Sequence, residues 1–183
     1  TEGDLGSVHE WMESRLSSGG DENRIVFKDH GSQEIADYIE IIPESELVKF
    51  YHCKSAPTND DGDEKIGATL GHVKDVIDQV LRSNMWISNS RLMDRVDGRD
   101  TRDNNTHFLG EKEDFDLGGR EEFEDVRGDF SPAEWDYEVV IVNPGLQYSE
   151  IPDSENVNLT LLTCFEWLKG IGAELRIMGH SGE

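Results

Sequence analysis

Glu34-Ile35-Ala36-Asp37-Tyr38-Ile39-Glu40-Ile41-Ile42, a polar break from Pro43 to Glu46, then Leu47-Val48-Lys49-Phe50-Tyr51-His52-Cys53-Lys54 together read as a β-hairpin. Both halves are rich in β-branched and aromatic residues, which pack well on a pleated surface. Side chains alternate faces along a strand. Ile35, Asp37, Ile39 and Ile41 therefore share one face, and Val48, Phe50, His52 and Lys54 share one face of the partner strand. If Ile42 pairs with Leu47, Asp37 stands opposite His52, and Lys54 lies diagonal to Asp37. Opposed Cβ atoms are about 4.5–5.5 Å apart, and a long side chain reaches its diagonal neighbour. The spacing thus predicts a carboxylate, an imidazole and an ammonium meeting at the open end of an otherwise apolar hairpin. Buried charge is costly unless it is paired or binds metal. The same residues therefore have two readings, a structural Asp37–Lys54 ion pair or a functional site.

The chain around the hairpin has 183 residues, enough for one domain with a real core. No run approaches the roughly 20 apolar residues of a membrane helix, and none reads as a signal peptide. Starting at Thr1 rather than Met, the chain reads either as a trimmed chain or as the C-terminal part of a longer protein. Cys53 and Cys164 form no framework, and a reducing cytoplasmic setting is expected. With no Cys-x-x-Cys and six scattered histidines, a structural zinc site is not expected. Acidic residues number 40 against 17 basic, for a net charge of −23. Because strand and helix patterns run through this acidic chain, the charge reads as a surface built for high salt rather than as disorder. At about 1 M salt the Debye length is near 3 Å, so general repulsion from DNA is screened and the acidity does not exclude a nucleic-acid substrate.

Ser7-Val8-His9-Glu10 has capping-box spacing before the short amphipathic run Trp11–Leu16. Glu10 then has the cap as its ordinary role, and Glu13 lies on the adjacent turn. Arg24 to Lys28 reads as a strand, and residues 57–65 as an acidic loop. Gly67 to Trp86 is helical by spacing, with Gln79 near its centre. Ser90 to Val96 reads as a further short helix, 97–105 as a charged loop, His107 to Leu109 as a short strand, and Lys112 to Asp129 as a weak helix or salt-facing surface. Tyr137 to Val142 is a buried strand, stopped by Asn143-Pro144-Gly145. A helix from Val157 to Lys169 and a strand from Glu174 to Met178 complete the chain. This order predicts an α/β layered domain with a mixed central sheet flanked by helices, its core about 7–178.

The order αβββαβ, with Asp37 and Lys54 on its second and third strands, resembles the core of the restriction-endonuclease-like PD-(D/E)xK nucleases. Glu34-Ile35-Ala36-Asp37 followed by Tyr51-His52-Cys53-Lys54 looks most like the Mrr and Holliday-junction-resolvase branch. It is also similar to nuclease domains appended to helicase-like phage-defence proteins. The resemblance implies a Mg²⁺- or Mn²⁺-dependent DNA endonuclease, a helicase or ATPase partner, and a homodimer where both strands are cut. It implies Asp37 as metal ligand, the Cys53 carbonyl as another, and Lys54 as the residue that orients water and offsets phosphate charge. His52 stands where the family has Glu, Asp or Gln, and imidazole is a poorer partner than carboxylate for hard Mg²⁺. Glu34, Glu10 or Glu13 would supply the missing charge, and Gln79 matches a glutamine that several branches place near the site. The alternative is a degenerate nuclease fold used for DNA or partner docking. A third reading, a small-molecule α/β enzyme, rests only on Val142-Asn143-Pro144-Gly145-Leu146, with no Gly-x-Gly-x-x-Gly or Walker loop behind it.

Overall fold

The structure, a computed structural model, describes residues 7–18, 21–30, 34–56, 58, 64–100, 106–111 and 116–180. Among them, five α-helices flank a seven-stranded mixed sheet. In chain order these are α1 (Val8–Ser17), β1 (Asp21–Asp29), β2 (Tyr38–Ile42), β3 (Leu47–Cys53), α2 (Leu70–Ser83), α3 (Leu92–Asp100) and β4 (Thr106–Phe108). β5 (Leu117–Gly118), α4 (Arg120–Asp129), β6 (Asp136–Gln147), α5 (Glu155–Gly170) and β7 (Ala173–His180) follow. The strands lie in the order β4-β1-β2-β3-β6-β7, with β5 added beside β1. β1, β2 and β3 form an antiparallel meander, whereas β6 and β7 continue it in parallel. Parallel neighbours need long crossovers, and the helices between β3 and β6 and between β6 and β7 occupy them.

Period-2 alternation divides the core into two layers. Ile39, Ile41, Val48, Phe50, Val139 and Ile141 face α2 and α5, packing on Val73, Val76, Val80, Leu161 and Leu168. The intervening residues Tyr38, Tyr51, Cys53, Val140 and Val142 face α1, packing on Val8, Met12 and Leu16. The hairpin has the expected register, from Ile42↔Leu47 to Tyr38↔Tyr51. Helix α1 opens with the capping box: Ser7 N–H donates to the Glu10 carboxylate at 2.9 Å, and Glu10 N–H donates to Ser7 Oγ at 3.3 Å.

β2 begins at Tyr38 rather than Glu34, β5 falls where no strand is expected, and two further elements depart from their expected bounds. β6 does not stop at Asn143 but runs on to Gln147. Asn143 itself secures the continuation, its Oδ1 accepting Gly145 N–H at 3.0 Å and its amide donating to the His72 carbonyl at 2.6 Å. At Gly145 a Cβ would fall 2.5 Å from Ala56 Cβ and 2.9 Å from the Lys65 carbonyl, so glycine lets the 65–67 segment lie against the strand. Residues 97–100 are not loop but the end of α3. They are held there by α4, where Arg127 binds Asp97 at 2.8 Å and Arg120 binds Asp100 at 2.7 Å. Residues 101–105 and most of the expected acidic loop at 57–65 lie outside the described residues. No helix among the described residues is long and apolar enough to cross a membrane.

Candidate functional site

The hairpin ladder ends at Tyr38↔Tyr51, and what happens one residue further builds the site. Asp37 N–H donates to the Tyr51 carbonyl at 2.9 Å, and Asp37 O accepts Asp29 N–H at 3.0 Å. Cys53 N–H donates to Asp37 Oδ2 at 2.7 Å, so a side chain takes over where a main-chain partner would continue the ladder. Asp37 thus leaves the strand pattern. Its carboxylate is buried, at 4 % exposure, and its second oxygen lies 3.7 Å from His30 Nδ1.

His30 follows the end of β1, and α1 brings His9 to the same place, the two rings meeting edge-on with centroids 5.0 Å apart. One ligand atom from each of His9, His30 and Asp37 lies within 4.8 Å of the others. A polar chain backs the group. Tyr38 OH lies 3.4 Å from His9 Nδ1 and 3.2 Å from Glu13 Oε1, and Lys28 Nζ donates to Glu13 Oε1 at 2.6 Å. When the Tyr38 hydroxyl donates to Glu13, its oxygen can accept from the His9 Nδ1–H tautomer, in which Nε2 keeps the lone pair. Such outer hydrogen bonds fix tautomer and ring orientation in metal-binding histidines.

Burial sets the electrostatics. Desolvation pushes the Asp37 carboxyl above its ordinary pKa, against the Cys53 N–H and His30, which favour the anion. Desolvation also lowers His9, assisted by the neighbouring His30 and Lys28. Neutral imidazole is the form that binds metal. A set of two imidazole nitrogens and one carboxylate suits first-row transition cations better than Mg²⁺, which favours oxygen. Of the two cations the resemblance implies, these residues fit Mn²⁺.

The other expected residues fall into two groups. His52 is sealed on the α2 side of the sheet, at 1 % exposure. Ser83 Oγ donates to the Ile35 carbonyl at 2.5 Å, which makes His52 Nε2–H the donor in its 2.6 Å bond to Ser83 Oγ. Desolvation holds the His52 pKa down at about 3. Lys54 Nζ pairs with Asp75 of α2 at 3.1 Å, not with Asp37, and both partners are well exposed. Gln79, one helical turn beyond Asp75, has a buried Oε1 with no hydrogen-bond partner. The expected Asp37–His52–Lys54 convergence is therefore replaced by a division between the α1 and α2 sides.

On the α1 side, Glu13 joins the group, whereas Glu10 is occupied by the helix cap. Half-buried Glu34 lies close enough to act on both His9 and Asp29. Cys53 contributes its N–H to Asp37, and its thiol is buried, with its pKa raised by that burial. Sequence reasoning missed His9, Lys28 and His30. The available signal was Asp29-His30 at the turn leading into the hairpin, one residue type short of a motif. Comparison of the chain with protein-family models, with curated proteins and with solved structures finds no match.

Proposed function

We propose that this chain is a divalent-cation-dependent nuclease domain that hydrolyses phosphodiester bonds in DNA, with Asp37, His30 and His9 holding the cation. The observation that carries the reading is the group of three ligand atoms within 4.8 Å at the open end of the β2–β3 hairpin. The family resemblance supplies the DNA substrate. A bound cation would polarise a phosphoryl oxygen and lower the pKa of a water nucleophile. The chain's own residues do the rest. Cys53 N–H fixes one Asp37 oxygen and the Tyr38–Glu13–Lys28 chain orients His9, whereas Lys54, on the α2 side, is paired with Asp75. The resemblance further supports a helicase or ATPase partner, a phage-defence or DNA-processing role, and a homodimer. The two free cysteines fit a cytoplasmic setting.

The test is plasmid cleavage in concentrated KCl with Mn²⁺ or Mg²⁺, comparing wild type with Asp37→Ala and His30→Ala. Cleavage that is undiminished in both variants ends the reading. A second reading, a nuclease-like module that docks DNA or a partner without cutting, is favoured by His52, sealed against Ser83 where the family has an acidic residue. It expects cation binding without cleavage by the wild type.

A further inference from the structure

α1 covers β1 to β3 on its side of the sheet, and beyond it β6 and β7 line a groove of about 700 Å³, within the size range of small-ligand sites. The charge of this groove is opposite to that of the molecule. Four of its sixteen lining residues are basic and two are acidic, in a chain with 17 basic and 40 acidic residues. A face that merely had to stay soluble in salt would carry the acidic excess found elsewhere.

Arg24 and Lys49 bind buried Glu40 at 3.1 and 3.4 Å, and Tyr51 OH donates to the same carboxylate at 2.5 Å. Glu138 takes the Nε of Arg176 at 3.0 Å, leaving that residue's two terminal nitrogens on a side chain that is 66 % exposed. Arg15 has no carboxylate partner among the described residues and stacks over the Trp11 ring at 5.6 Å. Arg24 Nε is buried without a hydrogen-bond partner. The groove thus holds more cationic donors than its own acids use. Two aromatic side chains also line it, Trp11 from α1 and Tyr148 just after β6. The Tyr148 ring is pinned, its hydroxyl accepting Gly179 N–H at 2.5 Å and donating to the Ile177 carbonyl at 2.8 Å.

We infer that this groove binds a nucleotide unit, a phosphate carrying an aromatic base, either free or as part of a single strand. Arg15 and Arg176 take the phosphate, Trp11 or Tyr148 stacks the base, Glu138 holds Arg176 by its Nε, and Glu40 engages Arg24 and Lys49 beside them. Aromatic stacking beside basic side chains is the general way proteins hold unpaired nucleotides. The inference does not depend on hydrolysis at Asp37.

Isothermal titration in EDTA, where no divalent cation is free, tests it with adenosine monophosphate, oligothymidylate, ribose 5-phosphate and adenosine. The expected result is saturable binding of adenosine monophosphate or oligothymidylate, with ribose 5-phosphate and adenosine each much weaker. Saturation by the mononucleotide identifies a free-nucleotide pocket, and binding of the oligomer alone identifies a strand track. Loss of stacking in Trp11→Leu should weaken binding roughly five- to hundred-fold. Arg15→Gln with Arg176→Gln should lower the salt slope of oligomer binding by about 0.7, the share of one phosphate on a single strand. Both arginines are exposed, and the amide introduced at position 176 can still donate to Glu138, so the double variant should stay folded, which a thermal melt checks. If neither nucleotide probe binds, if ribose 5-phosphate binds as tightly as the mononucleotide, or if the folded double variant binds like wild type, the inference is overturned.

Discussion

On its α1 side the open end of the hairpin gathers Asp37, His30, His9, Glu13 and Lys28 around a buried carboxylate whose second oxygen meets a half-exposed imidazole. On its α2 side the same end has a histidine with one hydrogen bond and no access to solvent, and a lysine tied to a surface aspartate. The first arrangement brings ligand atoms of His9, His30 and Asp37 within 4.8 Å of one another. The second ties its buried histidine to Ser83 and its exposed lysine to Asp75. The sealed histidine and the group of three ligand atoms are separated by the thickness of one sheet. A motif read along the strand, which treats His52 and Asp37 as partners, merges them.

The sharpest way to break this contrast is to remove the carboxylate. Asp37→Ala should abolish cation binding and lower any metal-dependent cleavage by at least about 10²-fold, the scale of losing one key electrostatic group. Calorimetry with Mn²⁺ beside a plasmid assay reads both, and His9→Gln or His30→Gln should weaken Mn²⁺ binding in the same calorimeter. His52→Ala, by contrast, should leave Mn²⁺ affinity unchanged. It should cost about 1–3 kcal/mol in denaturant unfolding, because Ser83 then loses a buried partner. An equal loss of metal affinity in His52→Ala would erase the distinction between the two sides.

Acid should report on the sealed side in a definite direction. The folded-state pKa of His52 is depressed to about 3 from an ordinary 6.5. The unfolded chain therefore takes up a proton in that window and the folded chain does not. Stability is complete above pH 6.5 and falls as pH drops below it, by up to about 1.4 kcal/mol per pH unit. Comparing wild type with His52→Asn between pH 6.5 and 5, above most carboxylate titrations, isolates the slope. A wild-type curve as flat as the variant's would show that His52 gains no proton on unfolding. The smallest effect belongs to Lys54→Ala. Its pair with Asp75 is exposed on both sides, so stability should change by less than about 0.5 kcal/mol. A loss of cleavage at unchanged Mn²⁺ affinity would then draw Lys54 into the chemistry despite its place on the α2 side.

Much of the fold was legible because its signals are local. The β-branched runs with their Pro43–Glu46 break set the register from Ile42↔Leu47 to Tyr38↔Tyr51, and the Ser7/Glu10 box started α1 where its spacing said. The end of β6 was misread because Asn143-Pro144-Gly145 carries turn chemistry that the neighbouring 65–67 segment and His72 override. The tail of α3 was misread because Asp97 and Asp100 look like loop until Arg120 and Arg127 come across from α4.

The sequence by itself therefore determined the layers, the register and the presence of a misplaced acid in an apolar row, since period and turn chemistry act over a few residues. It could also name Asp37 as the group to watch. Only the tertiary structure decided which way that carboxylate turns. Its company comes from His9, 28 residues before it, and from His30 across β1, while the His52 beside it in register is drawn off by Ser83, 31 residues on. Desolvation drives that choice. A buried polar group goes to whatever partner packing brings within reach, and packing is a property of the whole chain.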